Sequence, residues 1–298
     1  MKEKSQDIDN FFQTTRTDLE KMIMSTISDK NISSLLTGGK RLRPLLSQLT
    51  FKACSQVKEN STKYQKSLEV AVCIELIHTA SLVHDYIIDK RKKRRPSFQI
   101  KGGIDAAILL VHKILAVGFG IALRHGAEFA KLYVDTWDEI LTGELKKLET
   151  NKKTTKKSFS ERYSNIIDHR LPALFSSSCK AGAMEADMSG EILNVFAEYG
   201  REIGLAHQLA IDLADFKKGK IKNKQLKILI DALKNKYKKY LKEGDVKKLF
   251  IREIKKHVKN AEVLSKHQKI PSSPYKNLLG DAPIYIINER LKPIKISV

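Results

Sequence analysis

The segment ELIHTASLVHDYIIDKRKKRR, residues 75–95, decides how the whole chain is read. It opens as an apolar helix, sets Asp85 and Asp89 one turn apart, and ends in six consecutive basic residues, 90–95. At 3.6 residues per turn, His78, Ser81, Asp85 and Asp89 share one face, while Leu76, Val83 and Ile87 point into a core. Two carboxylates at i and i+4 suit a divalent cation. Mg²⁺ takes oxygen ligands, keeps several waters and bridges to substrate phosphates. Arg and Lys then hold the phosphate oxygens that the metal leaves uncovered. Taken alone, the same pair also reads as exposed aspartates at a helix end, facing their own lysines.

Upstream, TGGKRLRPLL (37–46) has two glycines for an irregular backbone and Pro44 for the first turn of a helix. Lys40, Arg41 and Arg43 cluster where free N–H groups and the helix dipole already favour an anion. Downstream, GLAHQLAIDLADFKKGK (204–220) repeats the plan: Asp212 and Asp215 near the end of an apolar helix, then Lys and Gly. Carboxylates followed by a basic loop, twice, is far more specific than either copy.

The remaining sequence sets bounds. The chain has 298 residues, 42% hydrophobic, enough for a sizeable core in one domain or two. Its formal net charge of +21 points to a polyanionic partner or to a lysine-rich solvated surface. Residues 217–260 alone hold 17 basic and 4 acidic side chains, as a pair of amphipathic helices or a contact surface. The basic run 90–95 lacks interleaved aromatics for base stacking, so no specific nucleic acid is expected. Cys54, Cys73 and Cys179 have no metal spacing and read as core thiols in a reducing compartment. The polar start MKEKSQDIDN carries no signal-peptide pattern, and a cytoplasmic location is expected. The best membrane candidate, 106–123, is interrupted by His112 and Lys113, so a buried helix is expected there rather than a transmembrane segment.

Helical spacing dominates and no strand pair is evident. Helices are expected near 5–28, 44–57, 62–90, 99–124, 126–150, 158–182, 188–215, 224–242, 246–267 and 274–291. With no internal repeat and no long linker, one all-α helical-bundle domain over 1–298 is the simplest account.

Together these motifs resemble the trans-isoprenyl diphosphate synthases, all-helical enzymes that join isopentenyl diphosphate to an allylic diphosphate. The resemblance runs from Gly38 to about Arg290. GGKRLRP is similar to the family's Gly-Lys-x-x-Arg-Pro motif, which implies that Lys40 and Arg43, with His78, bind isopentenyl diphosphate. HDYIIDKRKKRRP resembles the first aspartate-rich motif and its arginine pair, which implies Arg94 on the allylic diphosphate and Arg95 on the isopentenyl diphosphate. HQLAIDLAD resembles the second aspartate-rich motif, with Gln208 on the allylic side. RYSNIIDHRLPALF (162–175) resembles the segment with a Lys-Thr pair, here Arg170 and Leu171. The resemblance thus implies Mg²⁺ on Asp85, Asp89, Asp212 and Asp215. It implies catalytic roles for Asp85, Asp89, Arg94, Arg170 and Lys220. It also implies a homodimer, or a heterodimer with an intact synthase.

The departures are specific. Tyr86 stands where the first motif has its middle aspartate, and Ile211 where the second has its first. The family's Gly-Asp reads His112-Lys113, and DFKKGK merges Asp215 with the Gly-Lys element that supplies Lys220. The residues therefore fit an elongating prenyltransferase with weakened metal binding. They also fit a silent subunit of a two-chain synthase, or a basic protein for nucleic-acid or membrane surfaces. Small residues one turn before Asp85, Ala80 and Ser81, imply a product of geranylgeranyl length or longer if the chain is active.

Overall fold

Ten α-helices and no strand form among the described residues. The computed structural model describes residues 2–55, 57–59, 61–89, 100, 102–149, 170–219, 230 and 243–298, with side chains at these positions except 2–5, 89, 146–149, 243 and 244. In chain order the helices are α1 (Lys2–Thr26), α2 (Lys30–Leu36), α3 (Leu42–Cys54), α4 (Thr62–Asp89), α5 (Gly103–Arg124), α6 (Ala127–Glu149), α7 (Arg170–Glu185), α8 (Glu191–Lys217), α9 (Glu243–Ser265) and α10 (Pro274–Leu291). A short 3₁₀ turn, Lys292–Ile294, follows.

The all-helical architecture matches the sequence pattern, with one helix unread. α2 begins at Asp29, whose carboxylate accepts from the backbone N–H groups of Asn31 and Ile32 at 2.9 and 3.1 Å. That N-cap satisfies donors the helix itself cannot pair, and Ile32, Leu35 and Leu36 are buried behind it. The expected helix at 224–242 lies outside the described residues apart from Ile230, which is helical and buried. The expected 158–182 helix is described from Arg170 onward.

α4 is the central element. Val70, Ala71, Val72, Cys73, Ile74, Leu76 and Ile77 are buried in succession, so the helix is apolar on nearly every side. It packs against α1, α3, α5, α6 and α7. α7 and α8 pack backbone against backbone, and glycine explains it. A Cβ on Gly200 would lie 2.2 Å from the Phe175 carbonyl oxygen, and one on Gly204 would lie 2.6 Å from the Pro172 Cα. Only a hydrogen side chain lets the two backbones approach so closely. α7 therefore lies between α4 and α8, the two helices that carry the carboxylates.

α4 and α5 are both long and apolar enough to cross a membrane by length and composition. Of their apolar windows, 61% is buried in α4 but only 33% in α5. The expectation of a buried helix over 106–123 is therefore corrected. α5 packs one face on α4 and leaves Ile104, Ile108, Leu109, Phe119 and Leu123 exposed, and Val134 and Leu145 of α6 are exposed as well. The three cysteines are free and buried, as core thiols should be. Burial pushes the Cys54 and Cys179 thiols up to about 12.

Candidate active site

The basic side of the site starts from a left-handed turn. Gly38 and Gly39 have φ of +75° and +104°, a region open to glycine at no steric cost. The chain then delivers Lys40, Arg41 and Arg43 to three different environments. Arg43, 7% exposed on the first turn of α3, places Nη1 3.2 Å from His78 Nε2 of α4. Its guanidinium lies over the Phe175 ring at 4.8 Å, so α3, α4 and α7 meet at this one side chain. Lys40 is exposed and reaches Glu289 of α10 at 3.5 Å.

Arg41 corrects the expectation of a three-cation cluster. It is 3% exposed and adopts φ +51°. It pairs with Glu20 at 2.8 Å and Glu75 at 2.6 Å, and donates to the Leu36 carbonyl. Every donor faces protein, so Arg41 braces the turn between α1 and α4 and offers nothing to a ligand. Two residues that the motifs did not mark take its place in the cluster. His207 of α8 packs on Phe175, the ring that Arg43 also covers, within electrostatic reach of Arg290 near the end of α10 and of Lys40. His207 is held well below the ordinary imidazole range, first by burial and then by the positive charge of Arg43, Arg290 and Lys40.

The carboxylate side lies further along α4. Asp85 accepts an ion pair from Arg170 at the start of α7, Nη1 to Oδ1 2.5 Å, with both side chains largely buried. Arg170 thus faces the first carboxylate of the motif, across the α4–α7 contact. Tyr86 is half-buried against the hydrophobic core. Asp89 is the last residue of α4, and its side chain lies outside the described set. Arg94, Arg95 and Lys220 also lie outside the described residues. On α8, Asp212 is 6% exposed and accepts from Gln208 Nε2 at 3.2 Å, one turn earlier. Asp215 and Ile211 are half-buried. The His84 ring lies 5.1 Å from that of Trp137, tilted by 50°, and burial, reinforced by His112, lowers its proton affinity. Ala80 and Ser81 are both buried, and the Ser81 hydroxyl donates to the His78 carbonyl at 2.7 Å.

Does this donor set fit Mg²⁺? No group of three or more His, Cys, Asp or Glu among the described residues forms a metal cage. Mg²⁺ does not need one: it is commonly held by one or two carboxylates plus substrate phosphates. Asp85 supplies hard oxygens of that kind, already facing a cation. Ile211 supplies none, so the α8 side offers fewer oxygens than two complete motifs would.

The family model described as "Polyprenyl synthetase" matches residues 24–239, and the chain belongs to this family. It is 28% identical over 240 residues to a geranylfarnesyl diphosphate synthase of Methanosarcina mazei, covering 79% of this chain and 78% of that protein. It is 30% identical over 186 residues to a geranylgeranyl diphosphate synthase of the same organism, covering 60% of this chain and 55% of that protein. The second alignment thus spans little more than half of its relative. A solved decaprenyl diphosphate synthase from Rhodobacter capsulatus superposes with a TM-score of 0.74 at 19% identity, over 95% of this chain and 99% of that one. At that identity the likeness establishes the fold: an all-α isoprenyl-synthase bundle.

Proposed function

We propose that the chain elongates isoprenoids, condensing isopentenyl diphosphate with an allylic diphosphate. One observation carries the reading. α4 presents His78 to the cation cluster and, seven residues further along, Asp85 to Arg170. Seven residues of helix rise about 10 Å. Two anion-binding centres on one helix, roughly that far apart, suit two diphosphates whose hydrocarbon ends must meet.

Lys40, Arg43 and His78 hold the isopentenyl diphosphate by direct contacts, with Arg95 as a further phosphate ligand. Arg170, with Arg94 and Lys220, meets the oxygens of the allylic diphosphate as its carbon–oxygen bond breaks and negative charge gathers on the leaving group. Mg²⁺, when bound by Asp85 and Asp89 with Asp212 and Asp215, supplies further positive charge to that departing group. Gln208 fixes the Asp212 carboxylate and contacts the allylic substrate. Small residues at Ala80 and Ser81 support a long product. Three buried free thiols support a cytoplasmic location.

The apolar face of α5 and α6 supports pairing with a second chain of the same family, a copy of itself or an intact synthase. The test is incorporation of radiolabelled isopentenyl diphosphate with an allylic primer and Mg²⁺, run with the protein alone and again with an intact synthase. Extraction of labelled prenyl product from the single protein is the expected result. Product only in the mixture would make this chain a subunit, and no product in either would end the prenyltransferase reading.

A further inference from the structure

The cation cluster contains an imidazole for which the condensation has no use. His207 sits on α8, 8% exposed, with its ring 5.4 Å from that of Phe175. Arg43 covers the same Phe175 ring at 4.8 Å. The His207 Nδ1 is buried and has no hydrogen-bond partner among the described residues. The charges acting on the ring converge from separate elements: Arg43 from α3, Arg290 from α10 and Lys40 from the preceding loop. α4 contributes His78, on Arg43 at 3.2 Å. α7 contributes the apolar Phe175. On α9, His257 is engaged with Glu202, five residues before His207, at 2.7 Å, and Glu253 is held by Arg252 at 3.3 Å. On α8 itself, Asp212 lies five residues further on and is bonded to Gln208.

We propose that His207 is a further ligand of the isopentenyl diphosphate site, an imidazole that takes up a proton as the diphosphate binds and then donates to its oxygens. The inference rests on the reading of that site given above. Burial, then the positive charge of Arg43, Arg290 and Lys40, disfavours the charged ring, while Lys40 also meets the Glu289 carboxylate at 3.5 Å. A diphosphate seated among the same cations reverses the local field, and an opposite charge within about 4–6 Å favours the charged imidazolium. The buried nitrogen then gains a partner, which removes the cost of leaving it unpaired. The balance is simple: one proton leaves the buffer and joins the neutral ring, and no bond in the ligand changes. The site accordingly prefers more highly charged phosphates and mildly acidic solution.

The experiment is calorimetric binding of isopentenyl diphosphate and, separately, inorganic pyrophosphate, without Mg²⁺, in buffers of different ionisation enthalpy. Ionisation of the ligand itself is common to all proteins, so the His207 share is the difference between wild type and His207→Phe. That difference should approach one proton at about pH 7, and wild-type affinity should gain up to about tenfold per pH unit over the variant on going toward pH 6. His207→Gln, a smaller neutral donor, should retain binding and likewise lose the proton difference. Carbon-13 NMR of wild-type histidines provides a readout independent of variant folding: one ring should pass from neutral to cationic shifts on adding pyrophosphate. Equal proton counts in wild type and variants, or no histidine changing charge state, would overturn the role of His207 while leaving the site intact. Failure of wild type to bind either ligand would overturn the site itself, and this inference with it.

Discussion

The two ends of the polar face of α4 differ in kind. Around His78, three helices and a loop set Arg43, Arg290 and Lys40 within electrostatic reach of His207, a concentration of positive charge that suits an anion. Around Asp85, Arg170 supplies positive charge, and α8 carries Ile211 at the place of the second motif's first aspartate. Direct phosphate contacts need only cations and donors. Ionisation of an allylic diphosphate needs concentrated positive charge at the leaving group, which metal must help to supply. The comparison therefore predicts a protein that binds its isopentenyl substrate well and turns over slowly.

The largest effect separates two neighbouring arginines. Arg41→Ala breaks the buried ion pair with Glu75, which is 6% exposed, and should cost about 3–5 kcal/mol of stability, because removing one partner of a buried pair is strongly destabilising. Arg43→Ala should leave folding nearly intact and instead cut isopentenyl diphosphate affinity by about 2–3 kcal/mol, on the order of a hundredfold, with allylic affinity unchanged. Denaturant unfolding and calorimetry read the two outcomes. If both variants lose stability alike, the division between a bracing arginine and a ligand arginine is wrong.

Next in size is repair of the carboxylate side. Tyr86→Asp with Ile211→Asp adds oxygens on both helices and should raise turnover by roughly a hundredfold, since several kcal/mol of leaving-group stabilisation ride on a metal position. Isopentenyl diphosphate affinity should not move. Single-turnover assays across a Mg²⁺ series measure this. A double variant that stays inert while binding both substrates would shift the defect from the metal positions to the neighbourhood of Arg170.

How much of this was readable in advance follows from the range of each interaction. Asp85, Asp212 and Gln208 could be placed on helix faces because 3.6-residue periodicity is local. Asp29 also had a local signal, an N-cap residue before Ile32, Leu35 and Leu36, and α2 went unread because seven residues is a short helix. Arg41 could not be told from Arg43, because its partners lie 21 and 34 residues away in the chain. His207 heads HQLAIDLAD without a role there and Arg290 lies outside the quoted motifs, and only the packing of α10 and α8 brings Arg290 and Arg43 within electrostatic reach of His207. The outward face of α5 was hidden for the opposite reason: a helix apolar on all sides does not say which side is covered.

A smaller effect tests the scaffold that holds the two ends together. Gly204→Ala puts a methyl group 2.6 Å from the Pro172 Cα, which cannot yield without moving backbone. Overpacking of this kind costs about 1–3 kcal/mol. Because α7 carries Arg170 and α8 carries Asp212, turnover should fall further than isopentenyl diphosphate affinity. A variant that melts early but keeps the wild-type ratio of turnover to affinity would show that the α7–α8 spacing does not tune the carboxylate side.

The smallest expected effect is the acid sensitivity of the ligand-free protein. His207 and His84 both have folded-state proton affinities below the ordinary value. Well above the unfolded value, about 6.5, each ring is neutral in both states and stability does not depend on pH through it. As pH falls through that value, the unfolded chain binds protons that the folded chain refuses, so stability declines toward the folded-state value. For one ring that stays neutral when folded, the loss between pH 7.5 and 6.0 is about 0.8 kcal/mol. His207→Phe should therefore flatten the profile by about that amount, read from urea midpoints at the two pH values. Pyrophosphate should go beyond flattening: with the bound ring cationic through this range the folded state holds more protons than the unfolded one, so the His207 share reverses sign and favours stability as pH falls, while the share from His84 remains. A profile indifferent to both changes would mean that the ring of His207 never meets the field of its three cations, and the two ends of α4 would then differ less than their residues imply.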